Sequence, residues 1–349
     1  MPDTVLVTGG TGFIAQHCVV QLLDAGYHVR TTVRDPTHAQ NVVATIRANV
    51  ADPARVERLA VVGADLNADA GWEEAAAGCA FVLHVASPLP LRMPRHAQDL
   101  IAPARDGTLR VLGAAQRAGV RRVVLTSSIA AVAYGRARGR VFTEEDWSDP
   151  DGPHIDAYGR SKTLAERAAW EFVDGLGESA GMDLAVINPG LVMGPLLGPR
   201  CPTSGEVVRK LLDRSVPGLP DLAYPPTDVR DVAAAHVAAM TAPSASGQRF
   251  ICAIDAVELH EIALLLAAHF GPLGYRVPTR RLPATLLRVA ALVDRDLRLV
   301  THEVGRPLRV DASKVLALVP RPRGLAEMTL AMAESMIRWG VVRAPRARR

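Results

Sequence analysis

Aromatic residues make up only 4% of the 349-residue chain, so no surface for stacking nucleic-acid bases is advertised. Cysteine is equally sparse. Cys18, Cys79, Cys201 and Cys252 lie far apart with no C-x-x-C pair, which excludes a disulfide-stapled miniprotein, a zinc ribbon and a dithiol redox motif. They are expected as reduced, largely buried thiols. No His, Cys or carboxylate grouping has metal-ligand spacing, so no metal is expected. Long apolar runs are missing as well: Ile262 to Phe270 and Leu286 to Val293 fall well short of the roughly 20 residues that cross a bilayer. No membrane span is expected. The net charge of +4 is no larger than the charge carried by Arg343, Arg346, Arg348 and Arg349, which leaves the body near neutral. Residues 341–349 therefore read as a basic, disordered tail, and nucleic acid is not expected as a partner.

What is present is 49% apolar and 22% charged residues, enough for a sizeable core and incompatible with a disordered or collagen-like chain. The opening Thr4-Val5-Leu6-Val7-Thr8 reads as a strand, leaving no room for a signal peptide, and a cytoplasmic location is expected. Further strands are expected at Tyr27 to Val33, Leu59 to Gly63, Phe81 to Val85, Val123 to Ser127 and Leu184 to Asn188, with amphipathic segments between them. Strand and helix in alternation imply an α/β fold, a doubly wound parallel (Rossmann) sheet covered on both faces. Residues 1–188 form the expected dinucleotide-binding domain, rejoined by 227–256 through a helix from Val229 to Met240, capped by Asp228, and a strand at Gln248 to Ala253. Proline-rich 189–226 and a mainly helical 257–340 are expected to form a smaller substrate-binding lobe.

Immediately after the first strand, Thr8-Gly9-Gly10-Thr11-Gly12-Phe13-Ile14-Ala15 opens a helix. Gly9, Thr11, Gly12, Phe13 and Ile14 are candidates to cradle a dinucleotide pyrophosphate, because glycine admits close backbone approach and the helix start offers unpaired N–H groups. The spacing is G-x-x-G-x-x-A, and a plain tight turn is the competing reading. About 20 residues on, the second strand ends at Val33-Arg34-Asp35. A guanidinium there forks onto a 2′-phosphate, so NADP(H) is preferred over NAD(H), for which Asp35 would take the ribose.

Tyr158 and Lys162 stand four residues apart, on one face of a helix. With only five tyrosines and three lysines in the chain, that spacing carries weight. An ammonium beside the phenol, with an oxidised nicotinamide nearby, favours the phenolate and suits Tyr158 to proton exchange with a carbonyl oxygen. Val124-Leu125-Thr126-Ser127-Ser128 ends a strand at the ligand-binding edge of such a sheet, where Ser128 can donate to the same oxygen.

The glycine string, Thr126-Ser127-Ser128 and Tyr158 through Lys162 together resemble the extended short-chain dehydrogenase/reductase family over most of the chain. Tyr27 through Pro36, His84-Val85-Ala86-Ser87-Pro88, Ser161 through Glu166 and Pro189 through Pro195 are similar to its dihydroflavonol reductase and aldehyde/ketone reductase branch. The resemblance implies Ser128, Tyr158 and Lys162 as the catalytic set. It also implies Arg34 on the 2′-phosphate, Asp65 and Leu66 beside adenine, Ala86 and Ser87 along the cofactor, Thr126 at the strand end, and Pro189, Gly190 and Val192 near the carboxamide. Two positions depart from the plant flavonoid reductases. Asn41 stands where a second basic residue is usual, and Ala133 where an Asn or Asp holds a flavonoid hydroxyl, which favours a more apolar aldehyde or ketone.

The expected function is an NADP(H)-dependent carbonyl reductase or alcohol dehydrogenase acting on a small molecule, as a monomer or homodimer. Alternatives are a hydroxysteroid-type dehydrogenase, a nucleotide-sugar epimerase or dehydratase, and a non-enzymatic NADP-sensing regulator. His84 and His236 are expected as core residues. Cys201 is a candidate for the substrate pocket, together with Leu89 to Pro94, Ala133 to Trp147 and Leu196 to Pro226.

Overall fold

The computed structural model describes residues 2–88, 96–137, 139–177, 181–290 and 301–345. In chain order it opens with β1 (Thr4–Val7), α1 (Phe13–Asp24), β2 (His28–Val33), α2 (Ala39–Arg47), β3 (Leu59–Gly63), α3 (Trp72–Ala76) and β4 (Phe81–His84). There follow α4 (Gln98–Arg117), β5 (Arg122–Thr126), β6 (Val141–Phe142), α5 (Ala157–Leu176), β7 (Asp183–Pro189), β8 (Leu191–Met193) and α6 (Glu206–Leu212). The rest comprises β9 (Ala223–Tyr224), β10 (Pro226–Asp228), α7 (Val229–Thr241), β11 (Gln248–Cys252), β12 (Val257–Glu258), α8 (Leu259–Phe270), α9 (Ala284–Ala290), β13 (Arg309–Val310) and α10 (Leu325–Arg338).

Seven strands join in the order β11-β7-β5-β4-β1-β2-β3, all parallel. Parallel strands need both faces covered, and the sheet's apolar side chains divide accordingly. Val5, Val7, Val29, Leu83 and Ile187 pack toward α1 and α7, while Leu6, Val82, Val123, Leu125 and Val186 pack toward α3, α4 and α5. Six of the strands follow the doubly wound order 3-2-1-4-5-6, which reverses between β1 and β4 and opens a crevice there at the carboxyl ends. The strand and helix boundaries expected for the first half agree with those observed to within two residues.

A separate apolar core gathers Met193, Leu211, Leu222, Ile262, Leu266, Met328, Met332 and Met336 from α6, α8, α10 and the segments around them. This region is less helical than its sequence suggests. Prolines 278, 283, 307, 320 and 322 punctuate the segments 271–283 and 301–324, and proline removes a backbone donor and blocks helix continuation. Part of it belongs elsewhere: Leu308 and Val310 pack with Ile251 and Phe142, β13 pairs with β6, and Val315 and Val319 join the sheet's own core. Residues 308–319, assigned to the lobe from the sequence, thus lie against the sheet. The expected tail begins later than residue 341, because Val342 is buried in the lobe's apolar core and Val341 packs against it, their amides donating to the Met336 carbonyl; residues 346–349 fall outside the described residues.

Candidate active site

A cavity of about 1050 Å³ runs along the carboxyl edge of the sheet, and every residue proposed from the sequence for catalysis or cofactor binding lines it. At the β1–α1 turn, Gly9 adopts φ +78° with a would-be Cβ 3.1 Å from the Ala86 Cβ, and a Cβ on Gly10 would stand 2.5 Å from the Thr31 hydroxyl. The turn is pinned by Gly9 N–H donating to Thr32 Oγ1 (2.9 Å) and Gly10 N–H to the Thr32 carbonyl (2.8 Å). Gly12 is the N-cap of α1 and no side chain caps that helix, so its first-turn amides face the cavity at Phe13 and Ile14. Unpaired amides at the positive end of a helix dipole, beside glycines that keep the approach open, fit a pyrophosphate.

Thr8 holds β4 in register with this turn. Its hydroxyl accepts from the amides of Val85 (3.0 Å) and Ala86 (2.8 Å), so its own proton goes to His84 Nδ1, 2.9 Å away. His84 is consequently the Nε2–H tautomer, and burial pushes its pKa down to about 3. It is a satisfied core histidine. His236 does more than pack: its Nδ1 donates to the Val232 carbonyl (2.7 Å), which leaves Nε2 to accept from the Thr126 hydroxyl at 2.6 Å.

At the β2 end, Arg34 is exposed and forms no hydrogen bond or ion pair among the described residues. Asp35 is turned inward along the chain, its carboxylate accepting from the Thr37 amide at 2.9 Å and held below the usual carboxylate range by that bond. The carboxylate that would mark an NAD site is thus engaged in capping, while the guanidinium beside it is free to meet a 2′-phosphate. His38 shares this end of the cavity and Asn41 does not. Asp65 accepts from Asn67, and Leu66 packs on Gly107, shaping the wall beyond.

Ser128 caps the short turn Ile129–Ala131 and accepts the Ala130 amide at 3.1 Å. Asp156 caps α5, accepting from Gly159 N–H at 2.7 Å, which fixes Tyr158 in the first turn facing β5. Tyr158 keeps some exposure to the cavity, and Ser128 stands beside its phenol. Lys162 is buried, and its Nζ donates to the Thr126 carbonyl at 3.2 Å. In the protein alone, without the oxidised nicotinamide that the expectation included, Lys162 does not acidify the phenol. Burial raises the Tyr158 pKa above its ordinary value, and the group that opposes this is Ser128. Desolvation also lowers Lys162, to about 8.

Beyond this triad the cavity is walled by Tyr134, Tyr224 and the segment Leu196–Ser204 apart from Gly198 and Pro199. Tyr224 donates to Glu303 at 2.7 Å. Cys201 lines the wall, and burial pushes its thiol up to about 11, so it is unreactive near neutral pH. Ala133 is fully buried among Ile129, Val132, Phe142 and Ile251 and lines no part of the cavity; the adjacent Tyr134 does. Residues 89–94, expected to contribute, fall outside the described residues. Tyr134, Arg200 and Tyr224 lie within the segments expected to build the pocket but were not named individually, and His38 was not expected, because no local pattern marks which side chain of such a segment turns to the cavity. Among the described residues no cluster of three His, Cys, Asp or Glu could hold a metal ion, and no helix is long and apolar enough to cross a membrane.

Residues 5–253 match the model of the NAD dependent epimerase/dehydratase family. The chain belongs to that family. Relatives within reach are named reductases. Tetraketide alpha-pyrone reductase 2 of Arabidopsis thaliana is 38% identical over 269 residues, covering 75% of this chain and 81% of its own. Cinnamoyl-CoA reductase 1 of Petunia hybrida is 38% identical over 291 residues, covering 82% and 83%. Among solved structures, yeast methylglyoxal/isovaleraldehyde reductase Gre2 complexed with NADPH superposes with a TM-score of 0.79 at 27% identity, covering 97% of this chain and 99% of that one. The extended short-chain reductase resemblance read from the motifs and this family assignment agree.

Proposed function

We propose that this protein is an NADPH-dependent carbonyl reductase acting on an aldehyde or ketone. The observation that carries the reading is the convergence of Ser128, Tyr158 and Lys162 on the same cavity as the uncapped α1 start and the unpaired Arg34. A reduced nicotinamide, when bound, supplies the hydride. The chain's own part is to hold the substrate and manage the proton. Tyr158, whose ordinary pKa near 10 is raised further by burial, is neutral at physiological pH and in the form that donates a proton to a carbonyl oxygen. Ser128 lines the cavity beside the phenol and offers a second donor to the same oxygen, stabilising charge as it develops there. Lys162 is the cation beneath the pair, placed by Thr126.

Arg34, with Asp35 engaged elsewhere, favours the 2′-phosphorylated dinucleotide. Leu196, Leu197 and Pro202 supply the apolar part of the wall, and Tyr134, Arg200, Thr203, Ser204 and Tyr224 its polar part, which suits a carbonyl carried on a body with both apolar and polar groups. Residues 189–226 and the 257–307 and 320–340 parts of the C-terminal region are read as the substrate-binding lobe. The test is consumption of NADPH and of NADH over a panel of aldehydes, ketones, flavanonols and steroids, with wild type and Tyr158→Phe. Turnover of at least one carbonyl with NADPH, lost in the Phe variant while NADPH still binds, is expected. Undiminished turnover by Tyr158→Phe would overturn the assignment.

A further inference from the structure

Glu166 follows Lys162 by one turn of α5 and is 1% exposed. Its Oε2 accepts from the Ser127 hydroxyl (2.5 Å) and from Asn188 Nδ2 (2.8 Å). Its Oε1 accepts from Arg249 Nε at 2.5 Å and, more distantly, from Trp170 Nε1 at 3.5 Å. Arg249, on β11, is fixed in turn by the Glu144 and Asp146 carbonyls, each 2.7 Å from Nη1, and by the Trp147 ring 3.9 Å below it. Burying two ions this deeply costs desolvation that their attraction barely offsets, so stability is a weak reason for the pair.

The donors suggest another reason. Ser127 adjoins Ser128, and Asn188, which precedes Pro189 in the cavity wall, also donates to the Ser128 carbonyl at 3.2 Å. One carboxylate thereby ties the ends of β5 and β7 to the helix that carries Tyr158 and Lys162. We propose that Glu166 is a positioning residue for the reaction, with Arg249 as its counter-ion, setting both the place of Ser128 and the charge of Lys162. This rests on the roles given to Ser128, Tyr158 and Lys162 above.

The electrostatic half follows from what faces Lys162. On α5 there are the neutral Tyr158 and the anionic Glu166; from β4 there is His84, kept neutral by burial; from β5 there is the Thr126 carbonyl; and from β11 there is Arg249, spent on Glu166. Glu166 is thus the one unit of negative charge among them, and it opposes the desolvation that pulls Lys162 down to about 8. Removing it takes away the one charge that opposes desolvation of Lys162 and so lowers Lys162 further, and it leaves Arg249 buried without its counter-ion.

The experiment is the pH profile of kcat/KM from pH 6 to 10, which reports the free enzyme, with NADPH and the most rapidly reduced aldehyde of the panel. Wild type, Glu166→Gln, Glu166→Asp and the double variant E166Q/R249M are compared, with NADPH Kd and Tm alongside. In Glu166→Gln the alkaline limb is expected to move down by about one pH unit, the shift an opposite charge at this range produces, with NADPH Kd within threefold of wild type. Glu166→Asp, which keeps the charge, restores the limb. The double variant leaves no unpaired ion and so retains the fold where the single one fails, and its limb is expected to move in the same direction by less, because the Arg249 charge is lost with that of Glu166. A folded Gln or double variant whose profile superimposes on that of wild type overturns the proposal and leaves Glu166 a structural residue. Persistence of turnover in Tyr158→Phe sinks instead the reading on which it rests, so the two failures are told apart.

Discussion

Lys162 Nζ donates to the carbonyl oxygen of Thr126 across 3.2 Å, two residues before Ser128 and not toward the Tyr158 phenol. The ammonium therefore does its work from beneath the strand end, as a buried charge whose own pKa of about 8 lies close to working pH. Lys162→Met keeps the length of the side chain and removes the charge. A loss of at least about 100-fold in kcat/KM is expected, the low end of what acid–base machinery contributes. The alkaline limb near pH 8 should vanish with it. A profile of unchanged shape would mean that this limb belongs to another group.

Ser128 accepts the Ala130 amide and stands beside the Tyr158 phenol, where it is the one group that pulls the phenol back toward its ordinary pKa. Ser128→Ala removes a donor aimed at the reacting oxygen. Losing such a donor costs roughly 10²–10³ in kcat. NADPH affinity, measured by quenching of protein fluorescence, should stay within a factor of about three, since the hydroxyl sits at the carbonyl end and not at the phosphates. Parallel loss of turnover and of cofactor binding would place Ser128 in a structural role instead.

Arg34 and Asp35 divide labour at the end of β2: the carboxylate caps a turn and the guanidinium stays unpaired beside the cavity. Replacing Arg34 with Ser removes a charge-assisted pair worth about 1.5–3 kcal/mol, or roughly 10- to 100-fold in NADPH affinity. NADH, lacking the 2′-phosphate, should bind as before. Equal weakening of both cofactors would show that Arg34 holds the adenosine rather than its phosphate.

How far the sequence led depended on whether a residue's role is local. The glycine turn, Arg34 and the Tyr158–Lys162 pair are short-range patterns tied to strand ends and a helix face, and all of them line the cavity as expected. Phenol acidity is a property of enclosure, which no spacing encodes, and there the expectation had the sign reversed for the protein alone. Ala133 illustrates a different limit: one residue of register decides whether a side chain faces a cavity or a core, and Tyr134 took the cavity. Glu166 sat inside a quoted motif, yet its meaning came only from Asn188 and Arg249, 22 and 83 residues away. Prolines 307, 320 and 322 were visible in the sequence, but the apolar periodicity around them was read as helix.

Three buried histidines set the acid limit of the fold. Burial pushes His17 and His236 down to about 4 and His84 to about 3, each from 6.5. Between those values and 6.5 the unfolded chain binds protons that the folded chain refuses. Folding stability therefore rises with pH across this window and is lost as pH falls. Each histidine contributes a slope of up to about 1.4 kcal/mol per pH unit. Carboxylates held low, such as Asp35 and Glu206, act only below their own ordinary range near pH 4, whereas Asp156 and Asp231, raised by burial, take up protons in the folded chain and oppose the histidines at the foot of the window, so the histidine slope is clearest in its upper part. Urea midpoints measured every half unit should fall steadily across it. His236→Gln keeps a side chain able to reach Thr126 without a titrating ring, and its curve should be shallower than that of wild type. Flat midpoints between pH 6.5 and 4.5 would require that these rings accept protons in the folded state, which burial opposes at all three and which the hydroxyl bonds accepted by His84 from Thr8 and by His236 from Thr126 oppose further.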